Sequence, residues 1–336
     1  MNNPTILVTG ATGHTGRKTV EILLEKNLPV RALVRANDDR ATQLRKAGAE
    51  VVIGDFFSLN VMRAALSGIR TAYFVYPIAP GLIDATVRFA FAAREAGVRS
   101  IVNMSQITAR RESTSYAALD HYIAERVLEW AGLGVTHLRP THFAQWLIFP
   151  PSLDNIVRHG EIRLPFGEGR HAPVAVEDVA RTVAAILEDP RPHWGKTYNL
   201  SGPTQLDQQG IADAVSKVLG RSVKYKPISL ERYHQDLDEN GLHPYLIQHL
   251  IEVAKEYQQR TFEGEDDGIS ELTGRNPMTV QEFVGMHRHL FERWGGAPSP
   301  GSAHVDRGVI APSKRATSVV YMSDYKARSN LTKPQQ

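Results

Sequence analysis

The stretch Thr5-Ile6-Leu7-Val8-Thr9-Gly10-Ala11-Thr12-Gly13-His14-Thr15-Gly16 runs from a short apolar segment through three glycines into an amphipathic segment beginning at Arg17. A strand that turns through glycines at this spacing into a helix is the dinucleotide-binding fingerprint of doubly wound α/β folds. Each glycine serves a different purpose. Gly10 permits the sharp exit from the strand, Gly13 lets backbone approach a pyrophosphate, and Gly16 lets the helix pack close to the sheet. The amides at the helix N-terminus then face the phosphates. The alternative is a structural turn without a ligand, and the strand before it and helix after it weigh against that.

Outward from this turn the first half of the chain alternates short apolar runs with longer amphipathic ones, the pattern of a parallel sheet covered by helices. Strands are expected at Thr5–Thr9, Val30–Val34, Glu50–Ile53, Thr71–Tyr76, Ser100–Met104 and Thr136–Arg139. Helices are clearest at Arg17–Lys26, Leu82–Ala96 and Tyr116–Trp130, with Gly97 and Gly132 suited to the left-handed residue that ends a helix. Further on, a helix reaching Glu188, a strand at Lys196–Leu200 and helices at Gln208–Leu219, Pro244–Gln258 and Val280–Trp294 are expected. The fold class is α/β: a Rossmann-type doubly wound parallel sheet with a smaller C-terminal α/β substrate domain. Residues 1–150, rejoined by 174–200, form the dinucleotide domain. Residues 151–173 and 201–295 form the smaller one, and 296–336, rich in Gly, Pro and Ser, reads as a disordered tail.

Composition narrows the chemistry. The 336 residues include no cysteine, which removes disulfides, thiolate nucleophiles and iron–sulfur ligation, so redox work needs a bound cofactor. Six of the 39 basic residues but only two of the 36 acidic ones lie beyond Gly296, so the body is nearly neutral and no basic stripe suggests nucleic acid. Neither a signal peptide nor a membrane span is expected, and the location expected is the cytoplasm.

Arg35 closes the second strand nineteen residues beyond Gly16, where an NAD-selective site places an acidic side chain on the ribose 2′-hydroxyl. A guanidinium there suits a 2′-phosphate, with Arg40 near enough to assist, so NADP(H) is expected over NAD(H). Asp38 and Asp39 could instead turn back to the ribose, and Arg35 could be an ordinary surface residue. Asp55 ends the third strand, either accepting from the adenine amino group or capping a helix that starts at Leu59. Tyr76, closing the fourth strand, is assigned to the cofactor wall or to ordinary packing.

These segments resemble the NmrA-like branch of the atypical short-chain dehydrogenase/reductase superfamily. The resemblance rests on VTGATGHTG, on ALVR ending at Arg35, and on GDFF at 54–57. It continues in HYIAERVLEWAGLGVTHLRPTHF at 121–143, VAVEDVA at 174–180, YNLSGP at 198–203 and LTGRNPMTVQEF at 272–283. It implies NADPH in a groove of a Rossmann domain and a substrate cleft beside a small C-terminal domain. By that analogy Ala11, Thr12, His14 and Thr15 join the glycines around the pyrophosphate. Phe56 stands with Asp55, and Ser105 and Phe143 border the nicotinamide.

The usual acid/base signature of the superfamily, a tyrosine with a lysine four residues on, is not met. Tyr116 is followed at that spacing by Asp120, and Tyr122 by Arg126. A carboxylate beside the tyrosine opposes phenolate formation. Reduction of a simple ketone would suffer, whereas a quinone accepts hydride to give a phenolate with a conjugate-acid pKa of about 10, close to that of tyrosine itself. Hence the expectation of an NADPH-dependent reductase of electron-poor aromatics such as quinones and azo compounds, with a small aromatic substrate and a monomeric or homodimeric state. Tyr116 and His121 are the candidate proton donors. Phe143, Trp146 and Phe149 offer flat surface for an aromatic ring or simply fill a core. His121 and Glu125, one helical turn apart, lack the third ligand that a metal needs. The competing reading is a non-catalytic sensor of NADP(H) that regulates a protein partner.

Overall fold

The computed structural model describes residues 5–264, 266 and 268–292. The expected tail at 296–336 and the end of the expected helix at Trp294 lie outside the described residues. Nine strands are described: β1 Ile6–Val8, β2 Val30–Val34, β3 Glu50–Ile53, β4 Thr71–Phe74, β5 Ser100–Met104, β6 Gly134–Pro140, β7 Glu161–Leu164, β8 Thr197–Leu200 and β9 Lys224–Pro227. The larger helices are α1 His14–Glu25, α2 Asp39–Lys46, α3 Leu59–Leu66, α4 Leu82–Glu95, α5 Tyr116–Trp130, α6 Pro150–His159, α7 Val176–Glu188, α8 Gln208–Leu219, α9 Leu230–Glu239 and α10 Pro244–Gln258. Three short ones follow, α11 Gly268–Thr273, α12 Val280–Met286 and α13 Arg288–Glu292.

Seven strands form one parallel sheet in the order β3-β2-β1-β4-β5-β6-β8, the Rossmann order with one strand added beyond β6. Alternate side chains serve opposite faces, as period two requires. Ile6 and Val8 of β1 and Ala32 and Val34 of β2 join the core under α1, α2 and α7, built around Val20, Leu23, Val183 and Ile186. Leu7, Leu33 and Phe74 face the other way, onto Met62 of α3, Phe89 of α4 and Leu128 of α5. Segment 174–200 thus returns to the large sheet: α7 packs beside α1, and β8 pairs with β6. The remaining elements gather around the two-stranded parallel sheet β7–β9, with a core of Ile156, Ile162, Ile211, Val215 and Phe283.

Side-chain caps set the helix starts. Asp38 accepts from Arg40 and Ala41 at the head of α2, and Ser58 from Val61 at α3. This excludes Asp55 as the cap of α3. Its Oδ1 instead accepts from the Phe57 amide at 2.9 Å, closing a turn just before the helix. The single helix expected over 280–294 is broken at His287, which caps α12 before α13 begins.

Candidate functional site

In a parallel sheet every strand delivers its next residue to the same edge. Gly10 follows β1, Arg35 follows β2, Asp55 β3, Tyr76 β4, Ser105 β5 and Phe143 β6, so the expected contact residues converge on the carboxyl edge by topology alone.

The glycine turn is tightly built. Thr9 is fully buried, and its Oγ1 accepts from the Val75 amide at 2.9 Å, which ties the end of β1 to the segment after β4. Gly10 has a left-handed backbone at φ +55°, and a Cβ there would lie 2.8 Å from Val75 Cγ1. The Gly13 amide donates to Gly10 O at 2.8 Å, and Arg17 N to Gly13 O at 2.9 Å begins α1. A Cβ on Gly16 would lie 2.3 Å from Gly10 O, so only glycine lets α1 sit this close to the strand end. Gly13 occupies the N-cap, and no side chain satisfies the first amides of the twelve-residue helix. A phosphate is the natural partner for such amides. Thr12 and His14 border the same N-terminus. The Thr15 hydroxyl accepts from Tyr73 at 3.0 Å and so is also held from below.

Arg35 is exposed beyond β2. The competing carboxylate at Asp38 is already engaged: it accepts the Arg40 and Ala41 amides at 3.0 and 3.1 Å and the Arg40 Nε at 2.9 Å. The Arg40 guanidinium and these amides hold its pKa below the usual carboxylate range. Arg40 is therefore bound to its own helix cap, a pairing that no sequence pattern marks. At the β3–β4 corner, Phe56 packs against Phe74 and Tyr76 with centroids 5.4 and 5.7 Å apart. The Tyr76 hydroxyl donates to Pro80 O at 2.9 Å.

Across the edge, the two motifs at 121–125 and 138–140 prove to be one interaction. Glu125, fully buried on α5, takes Arg139 Nε at 2.9 Å and Nη2 at 2.5 Å from β6. Burial pushes this carboxyl up, and the Arg139 pair, the nearby Ser105 hydroxyl and His137 more than reverse that, leaving it below its usual range. Ser105 Oγ, which helps hold the Glu125 pKa down, is buried without a formed hydrogen-bond partner.

The two candidate donors are separated by burial. Tyr116 is 61% exposed at the head of α5, with its ring 6.5 Å from that of Tyr245. Asp120 accepts from the Tyr245 hydroxyl at 2.7 Å. His121 is only 3% exposed, and burial depresses its pKa to about 4. It belongs to a group of buried histidines. His249, depressed to about 3 by burial and by His121 and His142, shares a hydrogen bond of 2.8 Å between its Nδ1 and the Ser115 hydroxyl. His171 is 2% exposed, with its pKa well below normal.

These depressed values carry a stability prediction. The unfolded chain binds protons at histidine below about pH 6.5 and the folded chain does not. Unfolding free energy should therefore fall as pH drops from 6.5 towards 4, by up to about 1.4 kcal/mol per pH unit for each such histidine. Urea unfolding at pH 7, 6 and 5 measures it, and an unchanged midpoint would contradict the burial assignment.

Beyond β6 the loop 142–149 borders a narrow apolar cleft walled by Phe143, Trp146, Phe149, Phe166 and Tyr233. Phe143 bridges to Val174 and connects the sheet edge to the cleft. His142 stands in the wall, with centroids 5.5 Å from Trp146 and 5.8 Å from Phe166. Sequence reading found Phe143, Trp146 and Phe149 but missed His142, although it precedes Phe143 directly. It also missed Phe166 and Tyr233, which come from distant segments that no local pattern connects. Among the described residues no three His, Asp or Glu side chains converge as a metal site requires, and no helix is long and apolar enough to cross a membrane.

The chain is 29% identical over 288 residues to the NAD(P)H azoreductase of Xenophilus azovorans, covering 85% of this chain and 99% of that protein. The NADPH-dependent quinone oxidoreductase of Escherichia coli, solved with NADPH, superposes with a TM-score of 0.75 at 26% identity, over 85% of this chain and 99% of that one. The triphenylmethane reductase of Citrobacter sp., solved with NADP(H), gives 0.75 at 25% identity over 84% and 99%. Residues 2–284 match the NmrA-like family, and the chain belongs to that family, among its reductases.

Proposed function

We propose that this chain is an NADPH-dependent reductase that delivers hydride to a planar, electron-poor aromatic acceptor, a quinone or azo compound, without a tyrosine–lysine pair. The observation that carries the proposal is the position of Phe143, which follows β6 on the edge that holds the glycine turn and also lines the aromatic cleft. A dinucleotide spread along that edge would meet the α1 amides with its pyrophosphate and Arg35 with its 2′-phosphate. Asp55 and Phe56 would border its adenine half, and Tyr76, Ser105 and Phe143 its nicotinamide half.

The bound nicotinamide supplies the hydride. The residues of this chain then act by positioning. The aromatic walls hold the acceptor ring flat, an effect of proximity and orientation. The phenolate that forms is stabilised by resonance and takes its proton from solvent or one donor. Neither sequence-expected donor is assigned that step. Tyr116 faces solvent, and His121 is neutral and buried. Tyr116→Phe is accordingly expected to leave kcat with a simple quinone within about twofold of the parent. A loss of about a hundredfold, the usual scale for removing a general acid, would restore Tyr116 to the mechanism.

NADP selection rests on Arg35 together with the engagement of Asp38. Arg35→Ala is expected to reduce the NADPH-over-NADH affinity ratio about tenfold to a hundredfold, the loss of one charge-assisted phosphate contact. Calorimetric titration with both dinucleotides reads it, and an unchanged ratio removes Arg35 from the site. Steady NADPH oxidation with quinones or azo dyes supports the reductase. No turnover across such a panel, with NADP bound more tightly than NADPH, supports the sensor.

A further inference from the structure

The segment VAVEDVA at 174–180 supplies no residue to the cofactor edge, yet three parts of the molecule meet on the turn it forms at the head of α7. The N-cap there is Ala175, and no side chain of its own satisfies the first amides of the helix. Gln145 does so from the cleft loop: its Oε1 accepts from the Val176 amide at 3.1 Å, and its Nε2 donates to Glu177 Oε2 at 3.1 Å. Each end of the side-chain amide has a partner of the right kind, which fixes its orientation. Asp178, 1% exposed, takes the Met278 amide at 2.6 Å and Arg181 at 2.7 Å, which ties the segment leading into α12 to the same turn. Glu177 also acts on His14 at the head of α1. Burial and Arg17 lower the His14 pKa, and Glu177 opposes them.

The cleft loop reaches this turn in steps. Val174 N donates to His142 O at 3.1 Å, and Ala144 N to Val174 O at 2.9 Å. The backbone ladder stops at Ala144, and Gln145 carries it one step further with its side chain. On either side of that step stand Phe143 and Trp146, both in the wall of the cleft.

We propose that Gln145 is a positioning residue of the reductase: its amide locks the cleft loop onto the first turn of α7 and so fixes Phe143 and Trp146 relative to the nicotinamide end of the sheet edge. This rests on the reading of edge and cleft as a reductase's site. The lock matters because hydride transfer depends steeply on how donor and acceptor are aligned, and a displacement of about 1 Å can cost about a hundredfold in rate. Two backbone bonds alone would leave the loop free to pivot beyond Ala144. Glu177 is the suitable anchor, since it belongs to the helix that packs beside α1 and lies close enough to His14 to act on it. The wall of the cleft and the head of the glycine turn are thereby referred to one turn of helix.

The test uses the full chain with NADPH and 1,2-naphthoquinone, and reads kcat, the NADPH Kd and energy transfer from tryptophan to bound NADPH. The chain has four tryptophans, and W146F gives the share of the other three. Q145L should lower kcat about tenfold to a hundredfold and reduce the Trp146 share of the transfer, with the NADPH Kd within about threefold of the parent. Q145E should lose as much, because two carboxylates then face each other. Q145E/E177Q exchanges amide and carboxylate and should bring kcat back to within about threefold of the parent. E177Q alone should not exceed the parent, so the recovery reports the restored pair. This exchange carries the test if Q145L does not fold. A double variant no better than Q145E, or a Q145L variant with a lower thermal midpoint but unchanged kcat and energy transfer, would overturn the proposal and leave Gln145 a purely structural residue. Energy transfer that is lost in Q145L and regained in the exchange, in a parent that turns over no quinone, keeps the positioning role and sinks the reductase. Quinone turnover that Q145L leaves untouched keeps the reductase and sinks the positioning role.

Discussion

Gly16→Ala is expected to weaken NADPH binding about tenfold to a hundredfold and to lower the stability of the free protein. The added methyl would lie 2.3 Å from Gly10 O, 2.8 Å from Gly10 C and 3.0 Å from Thr9 O, all backbone atoms that cannot rotate away. The first turn of α1 must therefore lift off the strand end. Overpacking of this kind costs about 1–3 kcal/mol, and each 1.4 kcal/mol is a factor of ten in binding. The effect on affinity is compounded because the displaced amides are those that would face the pyrophosphate. Gly13→Ala is the internal comparison. Its Cβ would stand 3.1 Å from Gly10 O, a contact that a shift of a few tenths of an ångström relieves, so its stability cost should be smaller. Thermal unfolding of the free chains and calorimetry with NADPH distinguish the two, and near-parent binding by Gly16→Ala would refute the close-packing account.

The second large effect is expected at Glu125→Ala. Glu125 is fully buried and Arg139 is 23% exposed, so removing the carboxylate leaves a guanidinium in the wall between α5 and β6 with its main partner gone. Breaking a buried pair from one side costs about 3–5 kcal/mol, and the partial exposure of Arg139 places this case near the lower bound. Urea unfolding measures it. A double change, Glu125→Leu with Arg139→Met, should recover most of the loss, because removing both charges also removes their desolvation cost. If the double variant is no better than the single one, the loss is one of packing and not of charge. The pH dependence separates this pair from the histidines. The Glu125 carboxyl titrates below its usual value, so its contribution is present above about pH 4.5 and is lost only as pH falls further. The histidine contribution is already falling from pH 6.5.

Much of this arrangement could be read from local pattern. β2, β3 and β5 and helices α5, α8 and α10 begin and end at the residues expected, because an apolar run between turn residues marks a buried strand and Ser115, Asp207, Pro244 and Gly220 mark helix ends chemically. α2 was not legible, since DRATQLRK buries only Ala41 and Leu44. β9 was not, since three of the four residues in KYKP are exposed and the strand exists only through its pairing with β7. The expected strand Thr71–Tyr76 stops at Phe74, where Val75 turns to bond with Thr9 across the edge.

What the sequence determined by itself is the glycine turn, the parallel sheet and the edge where a dinucleotide site belongs, because these follow from local backbone geometry and from the two-residue alternation of buried strands. The tertiary structure alone decided which partners the charged and aromatic groups find. It joins Glu125 to Arg139 and Asp38 to Arg40, turns Tyr116 to solvent, and draws His142, Arg163, His171 and Tyr233 from separate segments to one cleft. Such contacts are set by how helices and sheets pack, and residues brought together from distant parts of the chain leave no periodic trace in it.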